Sequence, residues 1–197
     1  MYNARRGQRV RPGYTRRGTA WLVLAALLAV AAPARADELE YLLKAEFMER
    51  FTHFVDWPAD AFPGRDAPFV FCVVGDSRIS PYLERLAHDR RIKDRRAEVR
   101  HLGLKGAAPD PTGCHVLLIG PDERPHLHAL LARVVNRPVL TVSDAEGFGK
   151  EGVLINFYIS DDDRVRFEIS STEVKRSPLK INAQLLRLAR VATGSGP

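Results

Sequence analysis

Two apolar runs, each closed by a glycine, set narrow limits on the fold. Residues 69–74 (FVFCVV) lead into Gly75, and residues 115–119 (HVLLI) lead into Gly120. An unbroken apolar run of this length predicts a strand buried on both faces, the kind found inside parallel sheets covered by helices. Parallel neighbours need long crossovers, and the chain supplies helix signals where crossovers belong. Ser80-Pro81 offers an N-cap and a proline at the first helical position, which predicts a helix to about residue 87. Asp122 offers a cap for a helix whose stripe is Leu127, Leu130, Leu131 and Val134. Residues 98–102 and 139–142 read as two further strands. Ahead of all of them, Leu39, Leu43, Phe47, Phe51 and Phe54 recur at three- and four-residue spacing, which predicts a helix over 38–55. Pro58 stops it, because the residue before a proline avoids helical geometry, and the prolines and glycine of residues 61–68 mark a loop.

After residue 150 the pattern changes. Residues 153–159 and 164–169 alternate around Asp161-Asp162-Asp163, which predicts an antiparallel hairpin. Centring the turn on Asp162 sets Ile159 against Val165, Phe157 against Phe167 and Ile155 against Ile169. The opposite face then pairs Tyr158 with Arg166 and Asn156 with Glu168. A slip of one residue would mix the two sets, so the register is well specified. Ser170-x-x-Glu173 forms a capping box, and Leu185, Leu188, Ala189 and Ala192 predict a last helix laid on the core. The expected fold is therefore α/β: a three-layer sandwich with a largely parallel central sheet and a C-terminal antiparallel hairpin.

The first 36 residues read differently. Arg5, Arg6, Arg9, Arg11, Arg16 and Arg17 precede an apolar run over 20–32 that ends in Ala34-Arg35-Ala36. Basic, apolar and small-x-small segments in that order predict a secretory signal peptide cleaved before Asp37. The run is shorter than the roughly 20 residues a bilayer-spanning helix needs. Seven of the 30 basic residues and none of the 24 acidic ones precede Asp37, so 23 basic and 24 acidic residues remain. The sequence pI of about 9.6 thus reflects the leader, and the argument from net charge for a nucleic-acid partner disappears. Residues 37–192 have the length of one domain, followed by a tail at 193–197 expected to be disordered. Cys72 and Cys114 survive cleavage. An even count in an oxidising compartment favours a disulfide; two buried thiols on neighbouring strands are the other reading.

Little of the sequence specifies chemistry. The Gly75-Asp76-Ser77 turn lacks the glycine spacing of a dinucleotide site and the lysine of a P-loop. His126 and His128 are two apart on an expected helix and cannot share a metal; His88, His101 and His115 fit no ligand spacing. The Asp161–Asp163 cluster has no EF-hand spacing. The basic run Arg90, Arg91, Lys93, Arg95, Arg96 and Arg100 is interrupted by Asp94 and Glu98 and reads as a solvated edge, with contact to an acidic partner as the other reading. No GxSxG or HExxH occurs, so no catalytic residue, metal ligand or cofactor is assigned. The hairpin's second face is the unusual feature: Asn156, Tyr158, Arg166 and Glu168 form either a cross-strand polar ladder or a patch for a partner or ligand.

Four segments in order carry a resemblance. Residues 44–58 (KAEFMERFTHFVDWP), 71–75 (FCVVG), 113–120 (GCHVLLIG) and 138–192, with PVLTVSDAEGFG, INFYISDDDRVRFEIS and LKINAQLLRLARVA, are similar to YfiR-like periplasmic proteins. The resemblance implies an α/β sandwich without catalytic activity, often a homodimer. It implies repression of a membrane-bound diguanylate cyclase by binding its periplasmic sensor region, with relief by an OmpA-like outer-membrane lipoprotein. Cys72 and Cys114 match a cysteine pair of that family. A second pair found in some members is absent from residues 143–152, so redox control through it does not carry over. The expected function is a periplasmic regulator acting by protein contact. The alternatives are a sensor of a small ligand such as a nucleotide or anion, seated beyond Gly75 and Gly120 where such sheets bind ligands, and a small hydrolase.

Overall fold

The structure is a computed structural model that describes the backbone of residues 17–103 and 109–192, with side chains from residue 36 onward. Of the expected leader, residues 1–16 lie outside the described residues, as does the expected tail at 193–197. Helix α1 (Arg17–Phe54) ends before Pro58 as expected. The buried positions of its C-terminal half are Lys44, Ala45, Met48, Phe51 and Thr52. The stripe is thus rotated from the expected one, and Leu39 and Leu43 are exposed. Lysine counts as polar in a periodicity search, yet Lys44 is buried because it meets Asp144, a residue 100 positions away. Among the described residues no helix is long and apolar enough to cross a membrane.

Strand β1 (Val55–Asp56) follows, and after a loop comes β2 (Phe69–Val74), buried at every position. Helix α2 (Ser80–Asp89) begins one residue earlier than expected, with Ser80 inside it rather than capping it. Ser77, rather than Ser80, accepts the backbone N–H of Ile79, while the Ser80 hydroxyl reaches forward to Glu84. The short β3 (Arg91–Ile92) turns into β4 (Arg95–Leu102), three residues longer at its start than the sequence suggested. Next come β5 (Val116–Ile119), a 3₁₀ turn over Pro121–His126, α3 (Leu127–Val134) and β6 (Leu140–Ser143). Asp122 does not cap α3; its carboxylate instead accepts the N–H of Asp76 across the sheet end.

The eight-stranded sheet has parallel strands in the order β4-β2-β5-β6, continued by β7 (Ile155–Ile159) parallel to β6. Strand β8 (Val165–Ser170) returns antiparallel to β7 in the expected register, from Ile155 opposite Ile169 to Ile159 opposite Val165. Its turn closes with Asp163 at positive φ, the left-handed residue that follows the turn in a three-residue hairpin loop. Ser170 caps α4 (Ser171–Arg176) by accepting the N–H of Glu173. Strand β9 (Lys180–Ile181) pairs with β1 in a separate two-stranded sheet. The expected last helix is mostly something else. Helix α5 (Ala183–Leu188) is short, and Arg190–Ala192 form β10, parallel to β8. The apolar spacing of residues 185–192 fits a helix, but the open edge of β8 offers these residues ladder hydrogen bonds, and Leu188 stays exposed.

Two cores flank the sheet. Phe69, Phe71 and Val73 point towards α1 and α2, with Met48, Phe51, Leu83, Phe157 and Phe167. Val70, Cys72 and Val74 point the other way, towards α3, with Leu127, Leu130 and Phe148. These are the three expected layers. A Cys72–Cys114 disulfide ties β2 to the entry of β5, with Cα atoms 5.7 Å apart. It closes a separation of 42 residues, so loss of the bond should lower stability by about 2–4 kcal/mol. Urea unfolding of Cys72→Ala/Cys114→Ala against the oxidised parent measures this, and an unchanged midpoint would contradict it.

His115 joins three segments beneath that bridge. Its Nδ1 accepts the Val70 N–H at 2.9 Å, and its Nε2–H donates to the Ala61 carbonyl at 3.2 Å. The ring stacks against both Phe62 and Phe69, which also approach each other. Burial, aided by the charges of Arg95 and Arg100, pushes its pKa down to about 4. The unfolded chain, with histidine near 6.5, therefore binds the proton more readily. Stability should be complete above pH 6.5 and decline as pH falls towards 4, by about 3 kcal/mol in all from this group. Thermal melts across that range should show the decline, and in His115→Gln this contribution should vanish; an unaltered pH slope would refute the assignment.

Candidate partner-binding surface

The four residues expected on the hairpin's second face do share it, as two directly opposed pairs. The face is half closed. Asn156 and Glu168 are buried beneath the segment 144–152, whereas Tyr158 is half-buried and Arg166 exposed. Asn156 donates to the Ala145 carbonyl at 3.0 Å, and its side-chain oxygen has no partner among the described residues. Gly149 makes the cover possible: a Cβ there would lie 2.5 Å from a Glu168 carboxylate oxygen.

Arg190 completes the face, and the sequence did not point to it. It arrives from β10 opposite Glu168 in the parallel register. One guanidinium nitrogen donates to the Glu168 carboxylate at 2.7 Å, and the group lies over the Tyr158 ring at 3.9 Å. The bond to Glu168 makes Arg190 harder still to deprotonate. On the tip side Arg166 stands 3.8 Å from Asp162, whose carboxyl is held below its usual range first by the Ser160 hydroxyl and then by Arg164 and Arg166. The result is a graded surface. A buried carboxylate braces a cation against an aromatic ring, and next to them stands a second, exposed cation paired with the exposed Asp162.

The crevice beyond the strand ends has a different character. Strand order reverses between β2 and β5, the position where open α/β sheets bind ligands. Here it is shut. Gly75, at φ +75°, and Gly120 let the two loops touch: a Cβ on Gly75 would lie 2.4 Å from the Asp122 carboxylate, and one on Gly120 equally near the Asp76 carbonyl. The turn's Asp76 N–H, which an anion would need, already donates to Asp122 at 2.8 Å. Nearby, Lys44 bridges Glu40 at 2.6 Å and Asp144 at 2.8 Å. Burial alone would lower its pKa, but the bonds to both carboxylates outweigh that and raise it.

The remaining sequence candidates are scattered. Among the described residues no three histidine, cysteine or acidic side chains are grouped to hold a metal. His101 contacts Glu84, His126 contacts Glu123, and Asp161–Asp163 form the hairpin turn. Part of the basic run is structural. Arg90 makes a two-pronged pair with Glu46, and Arg95 donates to the carbonyls of Gly64, Arg65 and Ala67.

Fold and surface together define a three-layer α/β sandwich whose ligand crevice is filled by its own loops. The chain belongs to the YfiR/HmsC-like family, whose model matches residues 41–190. Membership points to a periplasmic regulator of diguanylate cyclase signalling. A search of curated proteins finds no match to the chain.

Proposed function

We propose that this protein represses cyclic-di-GMP synthesis by binding the periplasmic sensor region of a membrane diguanylate cyclase, without catalysing a reaction itself. Export with removal of residues 1–36, homodimerisation and relief by an OmpA-like outer-membrane lipoprotein belong to the same reading. The contact surface is the open half of the hairpin face, formed by Tyr158, Arg166 and Arg190 and braced from beneath by Asn156 and Glu168.

The observation that carries the proposal is the Arg190–Tyr158 stack over a buried glutamate. Arginine and tyrosine are enriched at the energetic centres of protein interfaces, where charge-assisted bonds lose competing water. Holding both in place before binding reduces the ordering cost of association. The closed switch-point crevice weighs against a small-ligand sensor, since an entering molecule would have to displace the Asp76–Asp122 bond. Arg166 is the residue to test, because its contact with Asp162 is exposed and contributes little to stability. Glu168 suits the purpose less well, since its loss would remove the brace of Arg190. In a strain lacking the chromosomal copy, Arg166→Glu should fail to lower cellular cyclic-di-GMP while accumulating to the parental level. Full repression by that variant would overturn the proposed surface.

A further inference from the structure

We infer that the open edge of β4 is a second docking surface, which takes an extended, acidic segment of a partner protein as an added strand. This inference rests on a different surface from the hairpin face and stands or falls independently of it. Strand β4 pairs with β2 along one side, but β3 covers its other side only at Arg95 and Arg96. From Ala97 to Leu102 the outer backbone groups have no strand partner among the described residues. Unpaired main-chain groups in a row are a template for another strand.

The side chains shape what can bind. On the α2 side, two contiguous hollows of about 360 and 430 Å³ run along the edge between α2 and β4. They share Ala87, His88 and Ala97, and Val99 extends the floor. A strand over residues 97–101 would lie in this groove for roughly 17 Å and could seat only small or medium apolar side chains above the two alanines. On the opposite face Arg96, Glu98 and Arg100 are exposed. Arg96 has no bonded partner among the described residues, and Arg100 makes only a 3.5 Å contact to the Thr112 carbonyl. Acidic residues directly across from these two arginines satisfy them. The same pattern disfavours pairing with a second copy of this chain in the register centred on Glu98. Antiparallel self-pairing centred on Glu98 sets Arg96 against Arg100 and Glu98 against itself, and like charges directly opposed destabilise a strand pair. An extended segment with acidic residues opposite Arg96 and Arg100, an uncharged polar residue opposite Glu98 and small apolar residues between them fits both faces.

The test uses ¹⁵N-labelled protein comprising residues 37–197 and a blocked hexapeptide of sequence Asp-Val-Thr-Val-Asp-Val (the aspartate peptide), with Lys-Val-Thr-Val-Lys-Val (the lysine peptide) as control. Amide resonances of residues 97–101 should shift saturably with the aspartate peptide and not with the lysine peptide. Arg96→Glu/Arg100→Glu should weaken the aspartate peptide at least tenfold and bind the lysine peptide in its place, with an unchanged melting temperature because both side chains are exposed. Shifts confined to other surfaces, an equal response to both peptides, or no response at millimolar peptide would overturn the inference. Concentration-dependent shifts of residues 97–101 without peptide would do so too, by showing that a second copy occupies the edge.

Discussion

Phe157→Ala should lower the unfolding free energy by about 3–5 kcal/mol, the usual cost of truncating a buried aromatic. Phe157 is 1% exposed and lies 5.7 Å from the Phe51 ring and 6.3 Å from Phe47, so its loss opens a cavity between the hairpin and α1. Phe167 faces the same two rings at 4.9 and 6.0 Å, and Phe167→Ala should fall in the same range. Phe157 and Phe167 are directly opposed across the hairpin and share both ring partners, so their losses are coupled and the double variant should lose less than the sum of the two. Ile159, on the same face but 43% exposed, is the control whose alanine variant should change stability little. Urea unfolding measures all of these. A loss below about 1 kcal/mol for Phe157→Ala would mean that the hairpin does not lean on α1.

Lys44→Met should be comparably severe, about 3–5 kcal/mol, for an electrostatic reason. The ammonium group is the shared counter-ion of Glu40 and Asp144, and its side chain is 5% exposed. Taking it away leaves Asp144, itself largely buried, without a cation and near a second carboxylate. The methionine keeps most of the packing, so the loss reports the charge. Adding Asp144→Asn removes the stranded carboxylate and should restore part of the stability; no recovery in the double variant would show that the bridge is not the cause.

The contrast between these two sites shows what the sequence could reveal. The hairpin was legible to the residue because alternation is a local signal: each of the five pairs either matches or mixes its faces, and only one register matches all. The two central parallel strands, β2 and β5, were legible as apolar runs ended by glycine. Lys44 was not, because what buries it is an aspartate far along the chain. The exposed Leu39 and Leu43 were misread for the same reason, since apolar spacing cannot tell which stripe finds a partner. Strand β10 was hidden by residues that suit a helix equally well, and its three-residue pairing is decided by the edge of β8 rather than by its own composition. Missing β10 meant missing Arg190, and with it the stack that gives the hairpin face its shape. Gly149 carried no signal of its own; its role shows only when Glu168 lies beneath it.

The most direct measurement of the central claim is the affinity of purified protein, residues 37–197, for the purified periplasmic sensor region of a diguanylate cyclase from the same cell, by isothermal titration calorimetry. Saturable binding is expected from the parent. Arg166→Glu should weaken it at least tenfold, as removal and reversal of a charged contact at an interface does, with a melting temperature matching the parent. Absence of binding by the folded parent would contradict regulation by direct contact, and parental affinity in Arg166→Glu would contradict the hairpin face as its site.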